Sequence, residues 1–249
     1  MMELFIGIDD TDKLDSPGSG VLADRLTQEL HDNGLAQCSA ITRHQLLVHE
    51  RIAFTSHNSA MCFSADCQES KLAELINCAQ YFLQKHADPA SDPGLSVVIN
   101  NCHLNREQLV SFGQRAKRYV VDKQEAYDLA KWLGVHLSEH GGDGIGVIGA
   151  LAATGLRLSG SDGRYRGWHN LGHAGDSTTA GWLAGHDFID AVVADDGTCL
   201  EASATVMFSE SCLKTVLLNG NRVIPVVKEI TAANKLYWKT LPREKMKRF

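Results

Sequence analysis

Leu4 to Ile8 is an unbroken apolar run that stops at Asp9, Asp10 and Asp12, the pattern of a buried strand ending in a loop. Asp9 to Gly20 is rich in Asp, Ser, Pro and Gly, which turn the chain. Leu22, Leu26 and Leu30 recur every four residues, one face of a helix over Val21 to His31, and Asn33-Gly34 ends it. Strands are expected near Ser39 to Val48 and Arg51 to Phe63, and a second amphipathic helix over Lys71 to Lys85. The turn Asp92-Pro93-Gly94 precedes another buried strand, Leu95 to Ile99. The order β-α-β-β-α-β predicts a sheet with helices packed on one face.

Helical spacing returns over Arg106 to Ala116 and Lys123 to Ser138. A glycine-rich turn, Gly141 to Gly146, leads into a helix expected over Val147 to Thr154, whereas the Gly- and His-rich stretch Arg157 to Asp187 has no clear period. From Ile189 short apolar runs alternate with Asp196-Gly197 and Asn219-Gly220, the punctuation of hairpins. The basic end, Pro242 to Phe249, is expected to fray. The reading is an α/β (α+β) chain: a mixed sheet with packed helices over residues 1–182, and a β-rich C-terminal portion over 183–249.

Composition narrows the function classes. With 249 residues and 44% hydrophobic content, the chain is long enough for a sizeable core. Its net charge of −6 favours a small substrate over a nucleic acid, because nucleic-acid binders draw affinity from neutralising phosphates. Seven scattered cysteines, an odd number, argue against a disulfide framework. Only Cys62 and Cys67 lie close together, and on a strand they would point to opposite faces. No signal peptide is visible, and no apolar run approaches the roughly 20 residues that span a bilayer. No membrane partner is expected, and a cytoplasmic location follows by elimination.

The residues that carry chemistry fall into two loops. Asp9, Asp10 and Asp12 sit at the C-terminal end of the first strand, where open α/β sheets place ligands. Mg²⁺ binds oxygen and commonly takes one or two carboxylates plus substrate phosphates. Thr11 offers a further hydroxyl ligand or a bond within the loop. The alternative is a solvated turn in which Asp12 or Ser16 caps the next helix. In the second loop, Gly144, Gly146 and Gly149 match GxGxxG, but polar Ser138 to Asp143 precede them where a dinucleotide site has a buried strand. Gly142, Gly144 and Gly146 before a helix would let backbone N–H groups cradle phosphate, or would simply permit close packing. His169 and His173 are four apart with Asp176 near, yet Gly167, Gly172 and Gly175 make that a loop and not a metal-binding helix face. His57-Asn58 interrupts a strand and faces a ligand or holds structure. No Gly-x-Ser-x-Gly elbow, Walker lysine loop or protein-kinase signature is present.

Three segments together resemble the kinase-like domain of archaeal tRNA-isoleucine 2-agmatinylcytidine synthetase. They are Phe5-Ile6-Gly7-Ile8-Asp9-Asp10-Thr11-Asp12; Thr55-Ser56-His57-Asn58-Ser59-Ala60, similar to that family's Thr-Arg-Gly-Asn-Gly/Ala strand; and Gly144-Ile145-Gly146-Val147-Ile148-Gly149-Ala150-Leu151-Ala152-Ala153-Thr154-Gly155, similar to its Gly-Val-Ile-Gly-Ala-Leu-Ala-Ala-Ile-Gly run. Asp92-Pro93-Gly94 fits as well. The resemblance covers roughly residues 3 to 160. That family uses ATP and Mg²⁺ to phosphorylate a wobble cytidine, and agmatine displaces the phosphate.

The resemblance implies ATP and Mg²⁺ as cofactors, with Asp9, Asp10 and Asp12 handling metal and phosphates. In the catalytic version Asp9 and Asp12 hold Mg²⁺, and Asp10 holds a second ion or orients the acceptor. Gly142, Gly144, Gly146, Asn58 and Thr11 bind the nucleotide. The family's acidic motif is followed by Gly-Met-Cys-Thr-Thr, whose threonine accepts phosphate. Here Gly18-Ser19-Gly20-Val21-Leu22 has no threonine, and Ser16 and Ser19 are the hydroxyls offered. The cysteines cannot build the family's zinc ribbon, and its OB domain lies beyond this chain's length. The expectation is a stand-alone ATP/Mg²⁺-dependent phosphotransferase or ligase-like enzyme acting on an unidentified acceptor. A non-catalytic nucleotide sensor and an RNA-modification accessory protein are the alternatives.

Overall fold

The computed structural model describes residues 1–52, 58–230 and 236–249. The chain forms two compact units, Met1–Ser159 and Gly160–Phe249. The division falls ahead of the 182/183 boundary expected from texture. Its cause is that Arg164–Tyr165 and Ser177–Thr179, unreadable by periodicity, pair with strands further along the chain.

The first unit runs β1 (Met2–Asp9), α1 (Ser19–Asp32), β2 (Ala36–Cys38), β3 (Thr42–Gln45), β4 (Ser59–Cys67), α2 (Leu72–His86), β5 (Gly94–Ile99), α3 (Arg106–Ala116), α4 (Lys123–Leu133), β6 (His136–Glu139) and α5 (Gly146–Leu158). The sheet order is β6-β5-β1-β4-β3, with β2 also on β4. Every pairing in it is antiparallel. The parallel-sheet rule therefore does not account for ligands at the end of β1. What lies there are the starts of the neighbouring strands: Asp9 faces Gly94 across the β1–β5 ladder.

Side chains alternate along β1. Leu4, Ile6 and Ile8 join the core built with Leu22, Leu26 and Leu30 of α1 and Leu75, Ala79 and Leu83 of α2. Phe5 belongs to a second core on the other face, with Leu109 and Phe112 of α3 and Leu151, Ala152 and Leu156 of α5. Helices thus cover both faces, not one as the element order predicts. The same alternation sends Cys62 and Cys67 to opposite cores. At roughly 25 cal/mol per Å² of apolar surface removed from water, these two cores are the main stabilising term.

Three other expectations change. The helix read over Lys123 to Ser138 stops at Leu133, because Gly134 takes the left-handed cap (φ 68°), and His136–Glu139 becomes the edge strand β6. A strand therefore does precede the glycine turn, half-exposed and not buried. Of the strand expected over Arg51 to Phe63, the described strand is β4, which runs on to Cys67, and residues 53–57 lie outside the described residues.

The second unit comprises β7 (Arg164–Tyr165), β8 (His169–Asn170), β9 (Ser177–Thr179), α6 (Ala180–Ala184), β10 (Ala191–Ala194), β11 (Thr205–Met207), β12 (Cys212–Leu213), β13 (Val216–Leu218), β14 (Asn221–Ile230) and β15 (Leu236–Thr240). Its sheet is mixed: β10 runs parallel to β14 and β11 parallel to β15, whereas β13–β14 and β14–β15 are antiparallel. Asn219 (φ 51°) and Gly220 (φ 79°) make the β13–β14 turn that their sequence predicts. The tail does not fray. Arg243–Arg248 forms a 3₁₀ turn that buries Met246 against Val193, Val216 and Val223. Among the described residues no helix is long and apolar enough to cross a membrane.

Candidate functional site

The end of β1 meets the start of α5, and the contact is made at backbone distance. A Cβ on Gly7 of β1 would overlap the carbonyl of Ala150, and one on Gly94 of β5 would overlap Gly146. On the same face as Gly7, two residues on, Asp9 lies against Gly149, where any Cβ would occupy the place of its carboxylate. The small residues of α5 thus let the N-terminal turn of a buried helix rest on the acid. A helix N-terminus carries partial positive charge, which suits a carboxylate or phosphate beside it.

An open cavity lies at this junction. Asp9, Asp10, Asp12 and Ser19 form its acidic side, with Gly146 and Gly149 from α5 and Asn58 and Ser59 from the start of β4. Leu46, Ile52, Ala116, Tyr119, Val120, Val121, Ile145 and Ile148 give it an apolar wall, and Arg51 adds a cation. Burial, then the neighbouring charge of Asp10 and the weaker one of Asp12, push the Asp9 carboxyl up to about 7; an N–H of Asp10 opposes them. The Asp10 carboxyl is also raised, chiefly by burial, with Lys13 opposing and Asp92 and Asp12 adding to it. Asp10 takes a left-handed backbone (φ 49°), a conformation that for a non-glycine residue costs of order 1 kcal/mol or more and is tolerated where surroundings impose it.

The sequence-derived candidates separate under this geometry. Asp9, Asp10, Asp12, Asn58 and Gly146 line the cavity. Asp12 also does the capping named as its alternative: one carboxylate oxygen accepts both the N–H (2.9 Å) and the hydroxyl of Ser19, the first residue of α1. Thr11 is buried (1% exposed), and its hydroxyl donates to Ser19 Oγ at 3.0 Å, so it holds the loop and does not face the cavity. Gly142 (φ 52°) and Gly144 (φ 66°) are left-handed turn residues. A Cβ on them would meet Asp92 and Glu139 respectively, and neither lines the cavity. Gly146 does, but its N–H is bonded to the Asp92 carbonyl at 3.0 Å. The Asn58 amide donates to Leu47 O at 2.6 Å and fixes the start of β4. Of the segment Thr55 to Ala60, residues 55–57 lie outside the described residues. His169 sits in β8, stacked on Phe188 (3.8 Å between centroids), and not on a helix with His173.

Sequence reasoning missed the apolar wall and Asp92. The wall comes from segments of no distinctive composition, and only folding gathers them. Asp92 was legible as a turn residue, but not as the neighbour of Asp10.

A bound Mg²⁺ fits some of this arrangement. The donors are all oxygen, as a hard cation requires, and Asp9 is a desolvated acid pushed up further by two neighbouring acids, a charge balance that a cation would relieve. Among the described residues no three His, Cys, Asp or Glu side chains converge into a ready-made metal cage. That pattern suits an ion held by one or two carboxylates and completed by phosphates and water.

No family model matches the chain. In class, the chain is homologous to an RNA-modifying synthetase over about 62% of its length. The relative is the tRNA-isoleucine 2-agmatinylcytidine synthetase TiaS: that of Methanosarcina acetivorans is 24% identical over 159 residues, 63% of this chain and 36% of its own. The chain thus spans about a third of the length of the curated relatives it matches. A solved tRNA fluorescent labeling enzyme is 25% identical with a TM-score of 0.53, covering 62% of this chain and 36% of that one. A complex of TiaS with its tRNA, AMPCPP and agmatine matches 96% of this chain and 60% of that one, at 16% identity and a TM-score of 0.54, a likeness of fold alone.

Proposed function

We propose that the first unit is an ATP- and Mg²⁺-dependent phosphotransferase or ligase-like centre acting on a small-molecule acceptor. The observation that carries it is the cavity at the end of β1: three carboxylates against a helix N-terminus on one side and an apolar wall with Tyr119 on the other. The chain is homologous to TiaS over about 62% of its length, and solved structures of TiaS include complexes with ATP and AMPCPP. Phosphoryl transfer asks a protein mainly for positioning and charge stabilisation, and such a cavity offers both.

In this reading Asp9 and Asp12 hold Mg²⁺, which when bound neutralises phosphate charge. Asp10, fixed by its constrained backbone, orients the acceptor. The N-terminal turn of α5, from Gly146 to Gly149, lies along the phosphates, and the wall of Tyr119, Val120 and Ile148 receives the planar base. Asn58 keeps the start of β4 in place through Leu47. The acceptor is small in this reading because residues 1–159 carry thirteen basic against twenty acidic residues, a poor surface for a polyanion.

The test is nucleotide binding by calorimetry with and without Mg²⁺, on the parent and on Asp9→Asn and Asp12→Asn. Mg²⁺-dependent ATP binding lost in both variants supports the reading, and unchanged binding in both refutes it. Single-turnover hydrolysis of bound ATP then separates an enzyme from a nucleotide sensor.

A further inference from the structure

We infer that Asp92 is a positioning residue for this cavity, clasping the acidic loop to the glycine turn. The inference rests on the reading of the site above. Asp92 sits at the end of the loop that precedes β5, and its contacts reach three separate segments. One carboxylate oxygen accepts the N–H of Asp143 in the glycine turn. The other lies 4.0 Å from Lys13 Nζ in the acidic loop. Its backbone N–H donates to the Asp10 carboxylate. Its carbonyl accepts the N–H of Gly146, the first residue of α5. The Asp92 side chain is 20% exposed, so solvent screens these charges less than it screens a surface pair.

Two neighbours fit the same role. Gly142 has to be glycine, because a Cβ there would fall on the Asp92 carboxylate. The loop is tied to the acidic loop again at Asp88, whose N–H donates to the Thr11 carbonyl at 3.1 Å. The backbone bonds of Asp92 fix where Asp10 and the start of α5 stand. Its side chain fixes the two loop segments, Asp10 to Gly18 and Gly141 to Ile145, relative to each other. Asp92 does not line the cavity, so any effect on a ligand passes through those segments. Positioning of this kind matters because an error of about 1 Å costs on the order of 100-fold in rate.

The experiment is amide hydrogen exchange on the full chain, with β5 as internal reference, for the parent, Asp92→Ala, Asp92→Asn and Lys13→Met. Asp92→Ala is expected to speed exchange about tenfold in both 10–18 and 141–145 while β5 stays protected, the scale of a lost charged hydrogen bond. Asp92→Asn keeps an oxygen for Asp143 and is expected to loosen only 10–18, as does Lys13→Met. The double variant Asp92→Asn/Lys13→Met is expected to be no worse than either single. Additive effects, or exchange that changes in one segment only for Asp92→Ala, overturn the inference. If Asp92→Ala does not fold, the Asn and Met pair decides by the same coupling.

Binding separates the two levels of argument. If the parent shows no Mg²⁺-dependent ATP binding, the functional reading fails and the clasp stands or falls on exchange alone. If the parent binds, Asp92→Ala is expected to weaken ATP about tenfold and to leave adenosine unchanged; equal losses for both overturn the positioning role.

Discussion

Replacing Asp9 by Asn is expected to stabilise the first unit at alkaline pH. The Asp9 carboxyl is raised from 3.8 to about 7, with burial the largest cause. Its folded-state value lies above its unfolded one, so the folded chain holds the proton more tightly. The associated stability is fully present below about pH 4 and is lost as pH rises through 7. At about 1.4 kcal/mol per pH unit the gap corresponds to about 4 kcal/mol, and residual solvent contact at Asp9 reduces this to roughly 2. Asn carries no charge and escapes the loss. Thermal unfolding at pH 8 is therefore expected to rise in Asp9→Asn by about 4–8 °C, taking 2–4 °C per kcal/mol for a chain of this size. The advantage should shrink steadily as the pH is lowered toward 4. Circular dichroism melts of both proteins from pH 4.5 to 8.5 measure this. A variant no more stable than the parent at pH 8, or an advantage independent of pH, would show that Asp9 is not a desolvated acid. Mg²⁺ with ATP, added at pH 8, is expected to stabilise the parent and not the variant, by mass action.

Gly149→Ala is expected to destabilise the first unit by about 2 kcal/mol and to abolish Mg²⁺-dependent nucleotide binding, because its Cβ displaces the Asp9 carboxylate; normal binding would put Asp9 elsewhere. Gly144→Val should lower the melting temperature and weaken ATP and adenosine equally, since its constraint is a left-handed φ beside Glu139; a loss confined to ATP would return it to the phosphate site. A thiol reagent on the native protein should label exposed Cys102, Cys199 and Cys212 first, with Cys38 and Cys62, whose thiols burial pushes up to about 12, protected until unfolding; rapid labelling of Cys62 would contradict the second core. Incubation with γ-labelled ATP and Mg²⁺ should leave no stable phosphoserine, because Ser16 bonds within its own turn at Lys13 and Ser19 is held by Asp12 and Thr11; stoichiometric phosphate on Ser19 would refute this.

Local signals located the elements where period and punctuation agree. Leu22, Leu26 and Leu30 define α1, and Asn219-Gly220 defines the β13–β14 turn. They failed where tertiary pairing decides. His136 to Glu139 continues a helical-looking stretch, but Gly134 ends the helix and the open edge of β5 recruits the rest as a strand. Basic Pro242 to Phe249 reads as a solvated tail, yet Met246 is buried in an apolar cluster with Phe249 packed against it, and the two hold it in place. Placement of helices on both faces follows from alternate residues of β1 serving two cores, Leu4, Ile6 and Ile8 on one side and Phe5 beside Gly7 on the other, a detail that Leu4 to Ile8 as a plain apolar run conceals.

The site shows a different limit. Its acids were legible because they close a buried strand within a stretch resembling the synthetase family's acidic motif, but the glycine motif left phosphate contact and close packing both open for Gly142, Gly144 and Gly146. The structure divides them by what each missing Cβ avoids. Gly142 and Gly144 avoid the side chains of Asp92 and Glu139, Gly94 and Gly146 avoid each other's backbone, and Gly149 avoids Asp9. Only the last of these sets the distance between acid and helix. A glycine-rich motif therefore reports close approach without naming what approaches, and in this fold most of the approach is protein on protein. The same logic applies to the hydroxyls. Ser16 and Ser19 are equivalent in sequence, three residues apart in one loop, yet only Ser19 reaches the cavity, because Asp12 draws the first turn of α1 onto itself. A carboxylate that caps a helix with one oxygen still has the other for a metal, so the structural and the catalytic readings of Asp12 are compatible. Measurement of Mg²⁺ binding in Asp12→Asn, where the cap oxygen survives and the charge does not, distinguishes the two contributions.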